Sequence, residues 1–533
     1  MELPDKVRRA FFAKYGGRLR SIQTAALEDI LKERDALVMA ATASGKTEAV
    51  FLPIVLRLLG EKFQDEAGLS ALVVSPTRAL ASDLYDRMAP VFGELGLRLG
   101  VATSDRKIAV TPPPHAMIRT PEGIDFDLCR RSSSLCNVAD VVIDELHLFL
   151  DSPRGTQLAG LLVRLTRISD SHRRIGLSAT ISNTESPANI RLLRNPIVVS
   201  DNIEKGSPRV IWHTWYQQRQ EHETDRFIAR LRREGVRKAI GFTRSRARAE
   251  KMAHLLNRGF LSRSSFSHHA DLSSQQRREI EDRFRRAKVG LIVATSTLEV
   301  GVDIGSIDTC ILFDVPPSHD SFVQRTGRAG RRSNNPRVVC VTGKYNARRD
   351  FTAVMAPPAA CERVDDSRPY LSGVLQQIVS NIVQYKKLTR MAVHEFCRNA
   401  FCIDDSRIDT LLDGLIAEDV LSCNGEQLAL ASKGKELAES EALHCTFVTG
   451  GGTRVIDQPT GKVIGKAALP ANTAVILGGT GRRVIGFDKE KRAALTVKTA
   501  GGEASFAARP KSAFESLSLK LRRRMGVTVK YEA

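Results

Sequence analysis

The 533-residue sequence predicts an α/β chain of two tandem α/β domains, then a helical segment in winged-helix order, then a small β-barrel-like domain. Three observations carry this expectation. Apolar strands alternate with amphipathic helical stretches, and the alternation runs twice, as stacked βα units do. The pattern turns helical after Ala356-Pro357-Pro358. From Thr446 onward, short β segments alternate with Gly-rich turns. The expected boundaries are 1–205, 206–358, 359–440 and 441–533.

The elements follow in order. Ala36 to Ala40 (ALVMA) reads as a buried strand, and Thr47 to Leu59 as a helix with apolar positions at helical spacing. Further strands are expected at 71–75, 116–120, 139–144 and 174–180, with a polar linker over 201–208. The second series has strands at 237–243, 289–295 and 308–315, and a helix from Ser245 to Arg258. A short helix over 392–399 and a second one, capped by Ser406 and running to about Glu418, precede VLSCNGEQLAL. There Asn424-Gly425 signals a two-residue hairpin. Helix, helix, wing is the order of a winged-helix domain, which touches nucleic acid or packs against protein. The segments TRVI, GKVIGK, AVILGG, RRVIGF, AALTVKT and ASFAAR predict a small antiparallel barrel, and KLRRRMG (520–526) adds a basic tail.

Composition bounds the function. Hydrophobic residues make up 42% and charged residues 26%, ordinary for a globular chain. No apolar run is long enough for a membrane span, and the charged N-terminus does not read as a signal peptide. Nine cysteines without a CxxC fit neither a disulfide framework nor a zinc site, so a reducing cytoplasm is expected. The net charge of +20 answers a polyanion, most often nucleic acid. Residues 226–288 alone carry 18 Lys/Arg against 6 Asp/Glu. Aromatics are only 6%, so platforms for stacking bases must be few.

The sharpest motif is Ala41-Thr42-Ala43-Ser44-Gly45-Lys46-Thr47 between a strand and a helix. Phosphate binding needs N–H groups at a helix N-terminus, a lysine for the terminal phosphates and a hydroxyl for Mg²⁺. Ser44 to Thr47 supplies all three, although Ala40 stands where the general pattern has glycine. Asp144 and Glu145 end an apolar strand 97 residues after Thr47. There Asp144 can hold Mg²⁺ through water and Glu145 can polarise the attacking water. Gln324 to Arg331 (QRTGRAGR) sets arginines three apart among glycines, suited to neutralising a transferring phosphoryl group. Ser178-Ala179-Thr180 ends another strand with hydroxyls that can link the nucleotide site to the second domain.

The ordered set resembles a superfamily 2 DExH helicase, most closely the Lhr-like (large helicase-related) branch. It comprises Gln23, ATASGKTEAVFLP, SPTRAL (75–80), RTPEG (119–123), DELH (144–147), SAT, GFTRSRARAE (241–250), HHADLSSQQRREIE (268–281), ATSTLEVGVDIG (294–305) and QRTGRAGR. The run covers about residues 18–332. The resemblance implies two RecA-like domains binding ATP and Mg²⁺ between them. It assigns adenine to Gln23, nucleotide contacts to Thr42, Ala43, Ser44, Gly45, Lys46 and Thr47, and metal to Thr47 and Asp144. Glu145 becomes the base, while His147, Ser178 and Thr180 couple nucleotide to strand. Gln324 and Asp303 close the cleft, with Arg328 and Arg331 as arginine fingers. Arg78, Thr120, Arg246, Thr295 and Thr297 fall in motifs that line the strand backbone.

The implied function is an ATP-dependent translocase or helicase on single-stranded nucleic acid, 3′→5′, on DNA or RNA–DNA duplexes. A nucleic-acid-binding ATPase subunit of a repair or anti-phage defence complex is the alternative, with protein partners on the winged helix or the C-terminal β domain. An RNA helicase is the third reading. Lhr-like proteins are longer, and their last motif often ends GRAGH where Arg331 stands here. Ala43 replaces a common glycine. Only 20 residues separate Asp303 from Gln324, which leaves little room for a strand-separating hairpin. Other conspicuous features read as structural: Gly478-Gly479-Thr480-Gly481 as a hairpin turn, and His268-His269 as polar pairing. Trp212, Trp215, Tyr385, Phe396 and Phe401 read as packing.

Overall fold

The computed structural model describes residues 3–12, 19–30, 34–40, 44–60, 68–104, 106–108, 113–150, 152–169, 172–178, 192–200, 208–216, 220–299, 304–330, 337–343, 347–356, 369–445, 453–467, 474–488, 493–499 and 511–525. The chain forms two compact units. One comprises residues 1–202, 362–448 and 511–533, and the other residues 203–361 and 449–510. The expected third segment therefore joins the first unit, and the expected fourth is divided between the two. None of the described helices is long and apolar enough to cross a membrane.

The first unit is built on eight strands: β1 (Ala36–Met39), β2 (Ala71–Val74), β3 (Leu99–Ala102), β4 (Lys107–Ile108), β5 (Ala116–Arg119), β6 (Asp140–Ile143), β7 (Arg173–Ser178) and β8 (Ile197–Ser200). Their order is β4-β3-β5-β2-β6-β7-β1-β8, and every pairing is parallel except β3 with β4. Helices cover both faces, which is why these strands read as unbroken apolar runs. One face packs helices Asp5–Phe12, Ser21–Ile30, Lys46–Leu58 and Arg78–Glu94. The other packs Pro121–Cys129 and Pro153–Thr166, and its core continues into Leu371–Tyr385, Arg390–Phe401 and Asp405–Ala417.

That continuation is locked by a buried polar cluster. Arg164 and Asp125 form an ion pair with both side chains fully buried. Arg164 also donates to Gln384 Oε1 at 2.8 Å and Gln377 Oε1 at 3.1 Å. Asp125 accepts from Gln376 Nε2 and Ser380 Oγ, each at 3.0 Å, and meets His444 Nδ1 at 2.6 Å. Burial alone would raise the Asp125 carboxyl, but Arg164 and His444 hold it below its usual range.

Helices Arg390–Phe401 and Asp405–Ala417 are followed by β16 (Leu421–Asn424) and β17 (Gln427–Leu430), and β17 also pairs with β15 (Lys387–Thr389). The second helix is capped by Asp404, not Ser406: Asp404 Oδ1 accepts from Arg407 N at 3.0 Å and from the Ser406 hydroxyl at 2.8 Å. A carboxylate is the stronger acceptor at the positive end of a helix.

The second unit has β9 (Arg209–Thr214), β10 (Lys238–Phe242), β11 (Ser265–His268), β12 (Gly290–Ala294), β13 (Thr309–Leu312) and β14 (Arg337–Thr342), all parallel, in the order β11-β12-β10-β13-β14-β9. A second, five-stranded sheet packs against it. Its strands are β18 (Thr453–Asp457), β19 (Lys462–Ala467), β20 (Ala474–Leu477), β21 (Thr480–Asp488) and β22 (Ala493–Thr499), in the order β19-β18-β22-β21-β20. The expected all-antiparallel pattern breaks at β18 and β22, which run parallel. The predicted segment ASFAAR lies outside the described residues.

Candidate nucleotide and strand-binding sites

The carboxyl edge of a parallel sheet is where α/β folds bind ligands, because helix N-termini collect there. In the first unit β1 delivers the chain to Gly45, which caps helix Lys46–Leu58 with φ 91°. The left-handed backbone disfavours a side chain at Gly45, and a Cβ there would meet Gln23 Nε2 at 2.5 Å, so Gln23 would have to move. Gln23 is buried; its Oε1 accepts from Arg20 N at 2.9 Å and its Nε2 faces the Gly45 carbonyl at 3.4 Å. Lys46 and Thr47 open the helix, so their backbone amides are among those without an intrahelical acceptor. The Ser44 hydroxyl is enclosed and has no hydrogen-bond partner among the described residues, as a phosphate-facing hydroxyl would be. Thr42 and Ala43 lie outside the described residues.

Two strands away, β6 runs straight into Asp144, whose N–H donates to Val74 O at 2.9 Å. Burial and the adjacent Glu145 carboxylate push the Asp144 carboxyl up to about 7, against the pull of Arg87 and Lys46. Two crowded carboxylates, one of them enclosed, favour a bound cation, and the hydroxyl of Thr47 and the carboxylate of Asp144 are hard oxygen donors of the kind Mg²⁺ takes. Glu145 has φ 47° and ψ 51°, a left-handed conformation rare for a residue with a side chain. His147 Nδ1 lies 3.0 Å from Ser178 Oγ and 3.6 Å from Glu145 Oε2. Ser178 in turn accepts, through its carbonyl, the Ala40 N–H at 3.2 Å, at the base of the phosphate loop. DELH, SAT and the phosphate loop are therefore physically joined. Thr180 lies outside the described residues.

Farther along this edge three helix N-termini stand in a row of capped turns. Thr77 Oγ1 accepts from Leu80 N at 3.2 Å, Thr120 Oγ1 from Gly123 N at 3.4 Å, and Ser152 Oγ from Gly155 N at 3.0 Å. Arg78 is the first residue of its helix and exposed, while Thr120 is buried. Arg154 ties the three together: it chelates Glu122 at 2.9 and 3.0 Å and also donates to the Pro76 carbonyl. Sequence reasoning missed Arg154 and Glu122, since a lone arginine in an amphipathic helix reads as solvated.

In the second unit Arg246 opens helix Arg246–Leu255, capped by Ser245, and its guanidinium pairs with Asp271. Thr297 Oγ1 lies 2.8 Å from His268 Nδ1, and Thr295 donates its N–H to the His268 carbonyl at 3.2 Å. Gln324 is buried in helix His319–Thr326. Arg328 is buried too, with Nε and Nη2 donating to the Glu299 carbonyl at 3.0 and 2.7 Å. Its neighbour Arg325, the first of the three arginines in QRTGRAGR, binds the Glu299 carboxylate at 2.7 Å. Asp303 and Arg331 lie outside the described residues. Asp125, Cys129 and His444 also place three donor atoms close together. The Arg164 cation already occupies that cluster, donating to Cys129 Sγ at 3.3 Å, and burial pushes the Cys129 thiol up to about 11, so it reads as structural.

Residues 20–187 match the DEAD/DEAH box helicase family and residues 223–333 the helicase conserved C-terminal domain. The chain is 30% identical over 446 residues to the ATP-dependent helicase Lhr-Core protein 2 of Thermococcus barophilus, which takes in 73% of this chain and 50% of that protein. It thus spans about half the length of that relative. Among solved structures it is similar to the DUF1998 helicase MrfA bound to DNA and AMPPNP, with a TM-score of 0.72 and 23% identity over 93% of this chain and 72% of that one. It is also similar to Mycobacterium smegmatis helicase Lhr bound to ssDNA and AMP-PNP, with a TM-score of 0.67 and 24% identity over 84% and 62% of the two chains. Both likenesses bear on the fold: the two parallel sheets are tandem RecA-like domains. In its motif order, its matched DEAD/DEAH box and helicase C-terminal domains and its Lhr-Core relatives, the chain is similar to the Lhr-like branch of the superfamily 2 DExH helicases.

Proposed function

We propose that the chain is an ATP-dependent translocase on single-stranded nucleic acid, moving 3′→5′ with DNA as the favoured track. The observation that carries this is the edge of the first unit, where His147 meets both Ser178 and Glu145, and the Ser178 carbonyl accepts from Ala40 N just before the segment that leads to Gly45 and Lys46. Lys46 and the helix N-terminus bind the phosphates of ATP, and Gln23 meets the adenine. Glu145, next to the phosphate site, takes the proton of the attacking water. Thr47 and Asp144 would hold Mg²⁺, which when bound supplies positive charge against the phosphate oxygens. Changes at Glu145 reach Ser178 through His147, and Ser178 through β7 and β1. Arg78, Thr120, Arg246, Thr295 and Thr297 would position the strand backbone without reading sequence. Gln324, Arg328, Asp303 and Arg331 are the residues of the second unit that we assign to the nucleotide cycle. The segment 387–430 is read as a winged helix.

The test is ATP hydrolysis by the full chain with and without matched single-stranded DNA and RNA, at two salt concentrations. Strong stimulation by DNA, falling steeply with salt as phosphate contacts release counterions, is expected. Hydrolysis indifferent to both strands overturns the reading.

A further inference from the structure

Helix Arg246–Leu255 carries Arg246 and Glu250 one turn apart, on the same face. Both residues grip the run 268–273. Arg246 pairs with Asp271. Glu250, fully buried, accepts from His269 Nε2 at 2.7 Å and from the backbone N–H groups of Gly478 at 2.7 Å and Gly479 at 2.6 Å. Those two glycines form the turn between β20 and β21 with φ 69° and 73°, a mirror-image turn that turns consecutive N–H groups toward one acceptor. Burial opposes ionisation of Glu250, yet these donors hold its carboxyl below the usual range.

Strand β19 holds the same run from the other side. Ser273 N donates to Ile464 O at 2.9 Å, Ser273 Oγ to Val463 O at 2.7 Å, and Lys466 N to Asp271 O at 2.9 Å. Leu272 is bridged to Gly465, and Lys462 reaches Glu279 at 2.6 Å. Val455, Ile464, Ala467 and Leu477 enter the same apolar core as Ile240, Phe266 and Ile280. The run 268–273 is also where the strand-facing groups attach. Asp271 holds Arg246, and His268 holds Thr297 through its side chain and Thr295 through its carbonyl.

We propose that the C-terminal five-stranded sheet is a positioning element for strand binding, with Glu250 as the residue that transmits its hold to Arg246, Thr295 and Thr297. The proposal rests on the strand-binding reading above. The sheet need not touch the strand, because it fixes the loop on which the strand contacts are mounted. Releasing Glu250 frees the Gly478–Gly479 turn and His269 together, and the phosphate contact of Arg246 loses its geometry.

The experiment is the affinity of the full chain for a fluorescent oligo-dT over a range of salt, for the parent, Glu250→Gln, Glu250→Asp, Ser273→Ala, Arg246→Ala and the Glu250→Gln/Arg246→Ala pair. Glu250→Gln is expected to weaken binding about tenfold and to reduce the salt slope by about one, as loss of one phosphate contact does, with ATP analogue affinity unchanged. Glu250→Asp should recover part of the loss. The double variant should bind no more weakly than Arg246→Ala alone, since both remove the same contact. A variant that merely misfolds loses active fraction but keeps its slope; should Glu250→Gln fail to fold, Ser273→Ala is read instead, with a smaller loss in the same direction. An unchanged slope, or additive losses in the double variant, overturns the proposal. A parent that binds no strand refutes the strand-binding reading itself, and this inference with it.

Discussion

Replacing Arg164 by methionine removes the cation from the buried cluster that joins helix Leu371–Tyr385 to helices Pro121–Cys129 and Pro153–Thr166. Arg164 and Asp125 are both wholly inaccessible, so the variant strands a carboxylate in the interior. Breaking a buried pair from one side costs about 3–5 kcal/mol. Gln376, Ser380 and His444 still reach Asp125, which sets the expectation at the lower end, about 3 kcal/mol. The readout is hydrogen exchange of amides in 371–385, because a chain with two units need not unfold in one step. At 1.36 kcal/mol per decade, exchange limited by opening of this helix should accelerate roughly 150-fold. The pH dependence has a definite sign. In the parent the folded Asp125 carboxyl lies below its unfolded value of 3.8, so its contribution is fully present above that pH and is lost as pH falls through the folded value. Without Arg164, burial lifts the carboxyl, the variant gains by protonating, and the gap between the two proteins narrows in acid. Asp125→Asn combined with Arg164→Met leaves no lone charge and should cost less than either single change. Unaltered exchange in Arg164→Met, or a double variant worse than both singles, refutes the argument.

Two further predictions concern the nucleotide edge. Glu145→Gln keeps the shape of the side chain but removes the proton acceptor, so steady-state phosphate release should fall at least about a hundredfold while an ATP analogue still binds; normal turnover would remove Glu145 from the role of base. Ser178→Ala deletes the hydroxyl that His147 Nδ1 meets at 3.0 Å. At a net worth of about 0.5–1.5 kcal/mol, the ratio of strand-stimulated to unstimulated hydrolysis should drop roughly 2- to 12-fold, and an unchanged ratio would exclude the His147–Ser178 link from coupling.

What was legible in the sequence was chemistry that is local in the chain. SGKT and DELH each need only a strand, a turn and a helix start, and the structure places Gly45 and Asp144 at such points. The tandem sheets were legible because continuous apolar strands have few alternatives. What escaped was set by distant partners. Gln376, Gln377, Ser380 and Gln384 lie on one helix, and a polar face on a helix reads as solvated; here all four are buried, because Arg164 and Asp125 face them. The division of the last segment between two units depends on pairs such as Glu250 with Gly478, 228 positions apart, which no periodicity encodes. The sequence reads His268-His269 as polar pairing, and the structure gives the partners: Thr297 and Glu281 for one, Glu250 for the other. Trp215 packs on Phe227 at 5.5 Å, and Phe396 on Phe401 at 5.6 Å.

Glu145, the base proposed above, shows why such a position resists prediction from propensity. A side-chain residue in the left-handed region costs of order 1 kcal/mol or more, and glycine or asparagine would relieve it. Neither carries a carboxylate. The backbone must leave β6 at Asp144, whose N–H is spent on Val74, and within two residues present His147 to Ser178. A sharp left-handed step at Glu145 satisfies both constraints and turns its carboxylate out of the strand register toward His147, 3.6 Å away. The left-handed step thus accompanies two neighbouring carboxylates in different surroundings, Asp144 enclosed and under the influence of Lys46, Glu145 facing His147. Relaxing it by Glu145→Gly would remove the proposed base and the constraint together, which is why the isosteric Glu145→Gln is the variant that separates chemistry from geometry.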